Sequence, residues 1–282
     1  INTLVGKTSD VGTGKSWSFK DVVELVKSHP DSQLMQYVTK TDGLSTMVMY
    51  SMDSFYNSET GECKFDSEDF ISLLELCNTF PKEYDYNSGE SESTASLLRS
   101  GKVLLTSVNM SSFSDMQMFP ALYGEPVNFI GFPTNSGSGS VVGFNNRFCV
   151  AAKSKNKDGA WAFIRSFLLP DNQNKLDWNL PVNKAAFEQK IADAMKKQDD
   201  NDSVVSTWWY DDVEITIGPL TEEDAQVVRD MVYNATTEAT YDEQLMNIIT
   251  EEAEYYFNGE KSAQEIAGII QSRAQNYIDE NR

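Results

Sequence analysis

Two hydrophobic rhythms interleave along the chain. Val103–Val108 and Val127–Phe132 are short apolar runs, and the second stops at Pro133, which cannot donate to a central ladder. Arg147–Ala152 alternates Phe148 and Val150 against Cys149 and Ala151. Each reads as a strand, as do Asn2–Val5 and Val213–Ile217. Between them, apolar residues recur at helical spacing. Ser18 with Asp21 forms a capping box for a helix through Lys27, and one or two helices are expected within residues 33–56. Asp66 or Ser67 caps a helix whose stripe is Phe70, Ile71, Leu73, Leu74 and Cys77. From Asp158 to Pro170, Trp161, Ile164, Phe167 and Leu168 make the same stripe, and a further helix runs through Met195. Three helices close the chain: one capped by Thr221 with Asp224, one from about Tyr241 to Asn258-Gly259, and one capped by Ser262 with Glu265. Strands alternating with helices are the mark of crossover units, so the chain is expected to be α/β with a parallel or mixed sheet and a helix-rich carboxyl end.

The segments between these elements carry the candidate chemistry. Asn109–Asp115 (NMSSFSD) follows a strand and offers hydroxyls, an amide, a carboxylate and the ring of Phe113, which suits a sugar as well as it suits plain helix capping. Crevices outside the carboxyl ends of strands are where open α/β sheets take ligands. Asn135–Ser140 is rich in Gly and Ser and lets the backbone turn sharply. Glu59-Thr60-Gly61 reads as a hairpin turn. In Trp208-Trp209-Tyr210 neighbouring rings must point different ways, and they suit stacking on a sugar and packing on another lobe equally. Gly12–Ser16 (GTGKS) resembles the end of a phosphate-binding loop. The position that needs the first glycine holds Ser9, and a second cap intervenes before the helix, which argues against nucleotide binding.

Composition narrows the function. The 282 residues are 40% hydrophobic, enough for a sizeable core, and carry 43 acidic against 23 basic residues for a net charge of −20. Such a surface repels nucleic acid and anionic lipid. From Asp211 to Arg282 there are 17 acidic and 4 basic residues, so most of the excess lies there as a solvated helical surface or an acidic docking face. No run approaches the ~20 apolar residues of a membrane span. Three scattered cysteines make no disulfide framework; Cys77 and Cys149 sit in apolar patterns and are expected to be buried. His29, the single histidine, sits beside Pro30 as a surface turn residue, and Met35, Met47, Met49 and Met52 read as core filling rather than a metal site. The chain begins at Ile1 without an initiator Met, a signal peptide or a lipid-accepting cysteine, which suggests a trimmed sequence.

Three stretches resemble one family. The run VNFIGFPTNSGSGSVVGFNNRFCVAAKSKNKDGAWAFIRSFLL, the opening Trp17-Ser18-Phe19-Lys20-Asp21, and the tail YDEQLMNIITEEAEYYFNGEKSAQEIAGIIQSRAQNYIDENR are similar to extracellular solute-binding proteins of the maltose-binding-protein type, which feed ABC importers. The resemblance covers nearly the whole chain. It implies a periplasmic-binding-protein-like class II α/β fold, represented mainly by its second lobe. Residues 1–169 and 210–282 are then the second lobe, and residues 170–209 a segment that packs on a first lobe absent from the chain. It also implies a monomer that captures a solute, expected to be a sugar or oligosaccharide, and hands it to membrane permease subunits, without cofactor or metal. The location implied is extracellular, as a Gram-positive cell-surface lipoprotein anchored to the cytoplasmic membrane. Ligand contacts are expected from Asp42, Asn109, Ser111, Ser112, Phe113, Asp115, Gly143, Phe144, Asn145, Trp208 and Trp209, with Asn109–Asp115 and Gly143–Asn145 on one edge of the lobe.

Two other readings stand beside this one. A glycoside hydrolase suits the acidity and the aromatics, but it needs two carboxylates facing across the scissile bond, and no motif singles out a pair. A helical module for a protein partner would form a complex without any small ligand.

Overall fold

The structure is a computed structural model that describes residues 1–84, 92–134, 139–144, 146–177, 179–196, 206–235 and 237–281. Its axis is β1 (Asn2–Lys7), buried along its whole length. The short helix α1 (Thr8–Val11) leads to α2 (Phe19–Ser28), β2 (Gln33–Met35), α3 (Lys40–Tyr50), α4 (Met52–Phe55) and α5 (Glu68–Cys77). Then come α6 (Thr94–Arg99), β3 (Val103–Asn109), α7 (Asp115–Tyr123), β4 (Val127–Phe129) and β5 (Val141–Val142). Helices α8 (Lys157–Phe167), α9 (Pro170–Gln173) and α10 (Lys184–Ala194) follow. A hairpin of β6 (Ser206–Tyr210) and β7 (Val213–Ile217) precedes α11 (Glu222–Asn234), β8 (Thr237–Glu238), α12 (Glu243–Phe257) and α13 (Ala263–Asn281).

Among the described residues the main sheet has six strands in the order β2-β3-β1-β5-β8, with β4 also on β1. β1 runs antiparallel to β3, β4 and β5, while β2–β3 and β5–β8 are parallel, so the sheet is mixed. Successive residues of a strand point to opposite faces, and β1 feeds two cores in this way. Leu4 joins Phe19, Leu44, Phe70, Ile249 and Ile266, from α2, α3, α5, α12 and α13. Val5 joins Leu98, Phe119, Phe187, Ile191 and Val228, from α6, α7, α10 and α11. Tyr123 of α7 is buried beneath the sheet, and its hydroxyl donates to the Val5 carbonyl at 2.8 Å.

The local chemistry of the helix starts is as expected. Ser18–Asp21 and Thr221–Asp224 form reciprocal capping boxes, and Ser262–Glu265 makes the same pair of bonds ahead of α13. Ser67 caps α5. The hairpin around Gly61 closes through a Tyr56–Cys63 bridge. From α13, Gln275 accepts from the Cys63 N–H and donates to the Gly61 carbonyl; Gln271 accepts from the Phe65 N–H and donates to the Cys63 carbonyl. Two side chains four apart on one helix thus serve as the hairpin's missing strand.

Three expectations are corrected. Arg147–Ala152 makes no ladder: among the described residues it has no strand to pair with, and Phe148 is 56% exposed. Cys149 is exposed rather than buried. The stripe of α8 faces solvent, with no residue of that helix buried. In addition, β4 ends at Phe129, and the chain continues to Phe132 through single contacts rather than a ladder.

Candidate functional site

The end of β1 collects the expected polar residues. Asn2 lies opposite both Asn109 at the end of β3 and Val141 in β5. Its Oδ1 accepts from Asn109 Nδ2 at 2.8 Å and from the Tyr50 hydroxyl at 3.3 Å. A Cβ placed on Gly143 would come within 3.0 Å of Asn2 Nδ2. Asn109 and Gly143 therefore share one edge of the sheet, on either side of Asn2. The crossing that brings residue 143 there depends on two glycines. Gly131 has φ +83°, and a Cβ on Gly139 would lie 2.0 Å from the Phe132 carbonyl oxygen, so no other residue fits. Trp17 Nε1 donates to the Gly131 carbonyl at 2.9 Å and Ser51 Oγ to the Pro133 carbonyl at 2.7 Å, which fixes this turn.

Past Asn109 the chain turns at Met110, whose N–H donates to the Ile1 carbonyl, and enters the serine loop. The Ser112 and Ser114 hydroxyls lie 2.9 Å apart. Asp115 opens α7, and burial pushes its carboxyl up to about 6, against the opposing pull of the Ser112 and Ser111 N–H groups and the Ile1 amino group. Phe113 is half-buried, its ring centroid 6.3 Å from that of Phe187 in α10. Ser111, Ser112 and Phe113 form one wall of a cavity of about 250 Å³. Asn174, Asp177, Asn179, Leu180, Lys190 and Asp193 form the rest. A larger cavity of about 370 Å³ lies between α12 and α13, among Glu251, Glu252, Glu254 and Arg273. None of the expected residues lines it, so the smaller cavity is the relevant one.

The other expected residues are placed apart from this edge. Asp42 bonds the Thr39 hydroxyl at 2.6 Å at the start of α3, while Tyr50 at the far end of that helix touches Asn2. Eight residues of helix, about 12 Å, separate the two. Phe144 is exposed beneath the Arg147 guanidinium, 5.7 Å from its ring centre. Asn145 lies outside the described residues. Trp208 pairs across the hairpin with buried Ile215 and is 37% exposed, whereas Trp209 pairs with Glu214 on the outer side and is 65% exposed. The hairpin is docked to α7, where Gln117 donates to the Gly218 carbonyl at 3.0 Å and accepts from the Gly218 N–H at 2.6 Å. The sequence reading missed Asn2, Tyr50 and the wall from Asn174 to Asp193. Asn2 and Tyr50 meet the edge, and the wall meets the cavity, only through contacts between distant segments, and no local pattern marks them.

Solved structures similar to this fold include a putative oligosaccharide periplasmic-binding protein from Synechococcus sp. MITs9220, with a TM-score of 0.54 at 12% identity. The match covers 100% of this chain and 71% of that one. The sugar-binding protein MalE from the phytopathogen Xanthomonas citri matches with a TM-score of 0.52 at 10% identity, over 100% of this chain and 69% of its own. A cyclic alpha-maltosyl-1,6-maltose binding protein from Arthrobacter globiformis matches with a TM-score of 0.50 at 12% identity, over 100% and 71%. The fold is accordingly that of the periplasmic solute-binding proteins, mixed α/β with a helix-rich end. No curated protein matches the chain in sequence. The sequence profile described as "Bacterial extracellular solute-binding protein" matches residues 13–202, and the chain belongs to that family.

Proposed function

We propose that this chain is the substrate-binding component of an ABC importer and that it captures an extracellular sugar or oligosaccharide for delivery to membrane permease subunits. The observation that carries this reading is the meeting of Asn109 and Gly143 at Asn2 on one sheet edge, with the serine loop running on from Asn109 to form a cavity wall at Ser111–Phe113. Hydroxyls, amides and an aromatic ring on one polar rim match the needs of a polyol. Family membership supports a binding role over catalysis, and proteins of similar fold are described as binding oligosaccharide or maltose-type sugars. The protein would work outside the cytoplasmic membrane, held there by a lipoprotein anchor; none of the helices among the described residues is long and apolar enough to cross a membrane. A thermal-shift screen against sugars and peptides tests the reading. A sugar that raises the melting temperature is the expected result, and a response to peptides alone would overturn the solute class. Incubation with a glycan panel tests the hydrolase alternative, which requires cleavage products.

We also propose that the face from Phe148 to Leu169 meets a further lobe. Phe148, Trp161, Phe163, Phe167, Leu168 and Leu169 are all exposed, a patch of the kind that marks an interaction surface. The similar structures extend beyond the part that this chain matches. The expected division gave such a contact to residues 170–209. Within that segment α10 buries Phe187 and Ile191 in the core beside α7 and α11, so the contact is better placed on α8.

A further inference from the structure

The cavity beside Ser112 and Phe113 holds three charged side chains, and their partners differ. Asp193 accepts from Lys196 at 2.5 Å and from Gln189 at 3.0 Å, so its charge is compensated and its rotamer held. Lys190 sends its ammonium to the Leu176 carbonyl at 2.5 Å, which fixes it against the backbone. Among the described residues, no hydrogen bond or ion pair reaches the carboxylate of Asp177. It is the one charged group of the wall left for a guest. Ser112 and Asn174 add a hydroxyl and an amide, and Phe113 an apolar surface steadied by Phe187. The volume, about 250 Å³, lies below the ~300–1,000 Å³ of pockets that hold drug-sized ligands, so one sugar ring fits and a longer chain must run out over the rim.

We propose that this cavity is a one-ring subsite in which Asp177 selects a neutral sugar over a uronate. The inference rests on the reading of the Asn109–Phe113 edge as the solute site, and it adds the determinant of charge. A carboxylate with free acceptor positions takes hydrogen bonds from adjacent hydroxyls of a neutral ring. The same carboxylate repels a sugar acid. Lys190, pinned to Leu176, cannot swing over to offset that repulsion.

The test is saturation-transfer NMR of the full chain, a readout suited to weak binding, with methyl glucoside and methyl glucuronide. Wild-type protein should bind the neutral glucoside at least tenfold more tightly than the glucuronide. Asp177→Asn keeps the shape and removes the charge; it should weaken the glucoside and close the gap to the glucuronide. Equal binding of glucoside and glucuronide by wild type, or an unchanged gap in Asp177→Asn, overturns the proposal. Asn109→Ala and Phe113→Ala separate the two levels. Loss of binding in these variants with no effect of Asp177→Asn sinks only the charge selection. No sugar bound in any arm sinks the site reading and this proposal with it.

Discussion

Helices α5 and α8 are built from the same local chemistry and end in opposite surroundings. Each starts on a side-chain cap, Ser67 for α5 and Asn156 for α8, and each carries an apolar stripe at helical spacing. In α5 that stripe is sealed: Phe70, Leu73, Leu74 and Cys77 have no exposed surface, and Phe70 packs edge-on against Phe55 and Phe65. In α8, Trp161 is 54% and Phe163 63% exposed. Among the described residues the rings there meet one another, Phe148 stacked on Phe167 at 5.2 Å and Phe163 edge-on to Phe167 at 5.1 Å. A stripe tells which face of a helix gains by burial, while the partner that buries it must come from elsewhere. α5 packs chiefly on α2, α3 and α13; the chief neighbour of α8 is α9.

The widest gap between the two helices should show in stability. Phe70→Ala should cost about 3–5 kcal/mol in urea unfolding, since it empties a sealed site. Phe163→Ser should change stability by no more than about 0.5 kcal/mol. Comparable losses at both positions would mean that α8 is packed in solution, and the contrast would fail. The buried hydroxyl of Tyr123 sharpens the description of the packed side. Tyr123→Phe removes the hydroxyl's bond to the Val5 carbonyl and should cost about 1 kcal/mol by the same measurement.

Asp115 tests the open edge through pH. Burial holds its folded pKa at about 6, above its usual 3.8, so the folded state binds the extra proton between these values. The stability it lends is full below about pH 4 and is lost as the pH rises through about 6. Partial solvent access at this half-exposed carboxyl reduces the effect to roughly 1–2 kcal/mol. Asp115→Asn should flatten the pH dependence between 4 and 6 and raise stability at pH 7. A slope unchanged in the variant would assign it to other groups. A similarly small effect belongs to a cap: Thr221→Ala, which opens the box at the start of α11, should cost about 1 kcal/mol.

What was legible in the sequence follows from range. Capping boxes such as Ser18–Asp21 and Thr221–Asp224 act within four residues, and their helices were placed within a residue or two. The strand at Val103 was equally plain, because its apolar run is long. The two-residue strands β5 and β8 exist only through pairing with each other and with β1, so no local pattern shows them. Arg147–Ala152 failed for the converse reason: its alternation is real, but no neighbour supplies the ladder. In the proposed site, Asn109 and Phe113 could be named from the sequence because a strand delivers them together. Asn2 and Tyr50 were not, since their contacts join residues 48 and 107 apart in sequence, and Asp177 joins the cavity wall from a separate segment.

Calorimetric titration of the sugar found by the thermal screen, into wild type and Asn109→Ala, tests the account most directly, with Thr221→Ala as a control remote from the edge. The Asn2–Asn109 contact organises the proposed site, so Asn109→Ala should weaken binding at least about tenfold, or ~1.4 kcal/mol, while Thr221→Ala binds like wild type. Equal affinity in wild type and Asn109→Ala would contradict the placement of the solute at this edge.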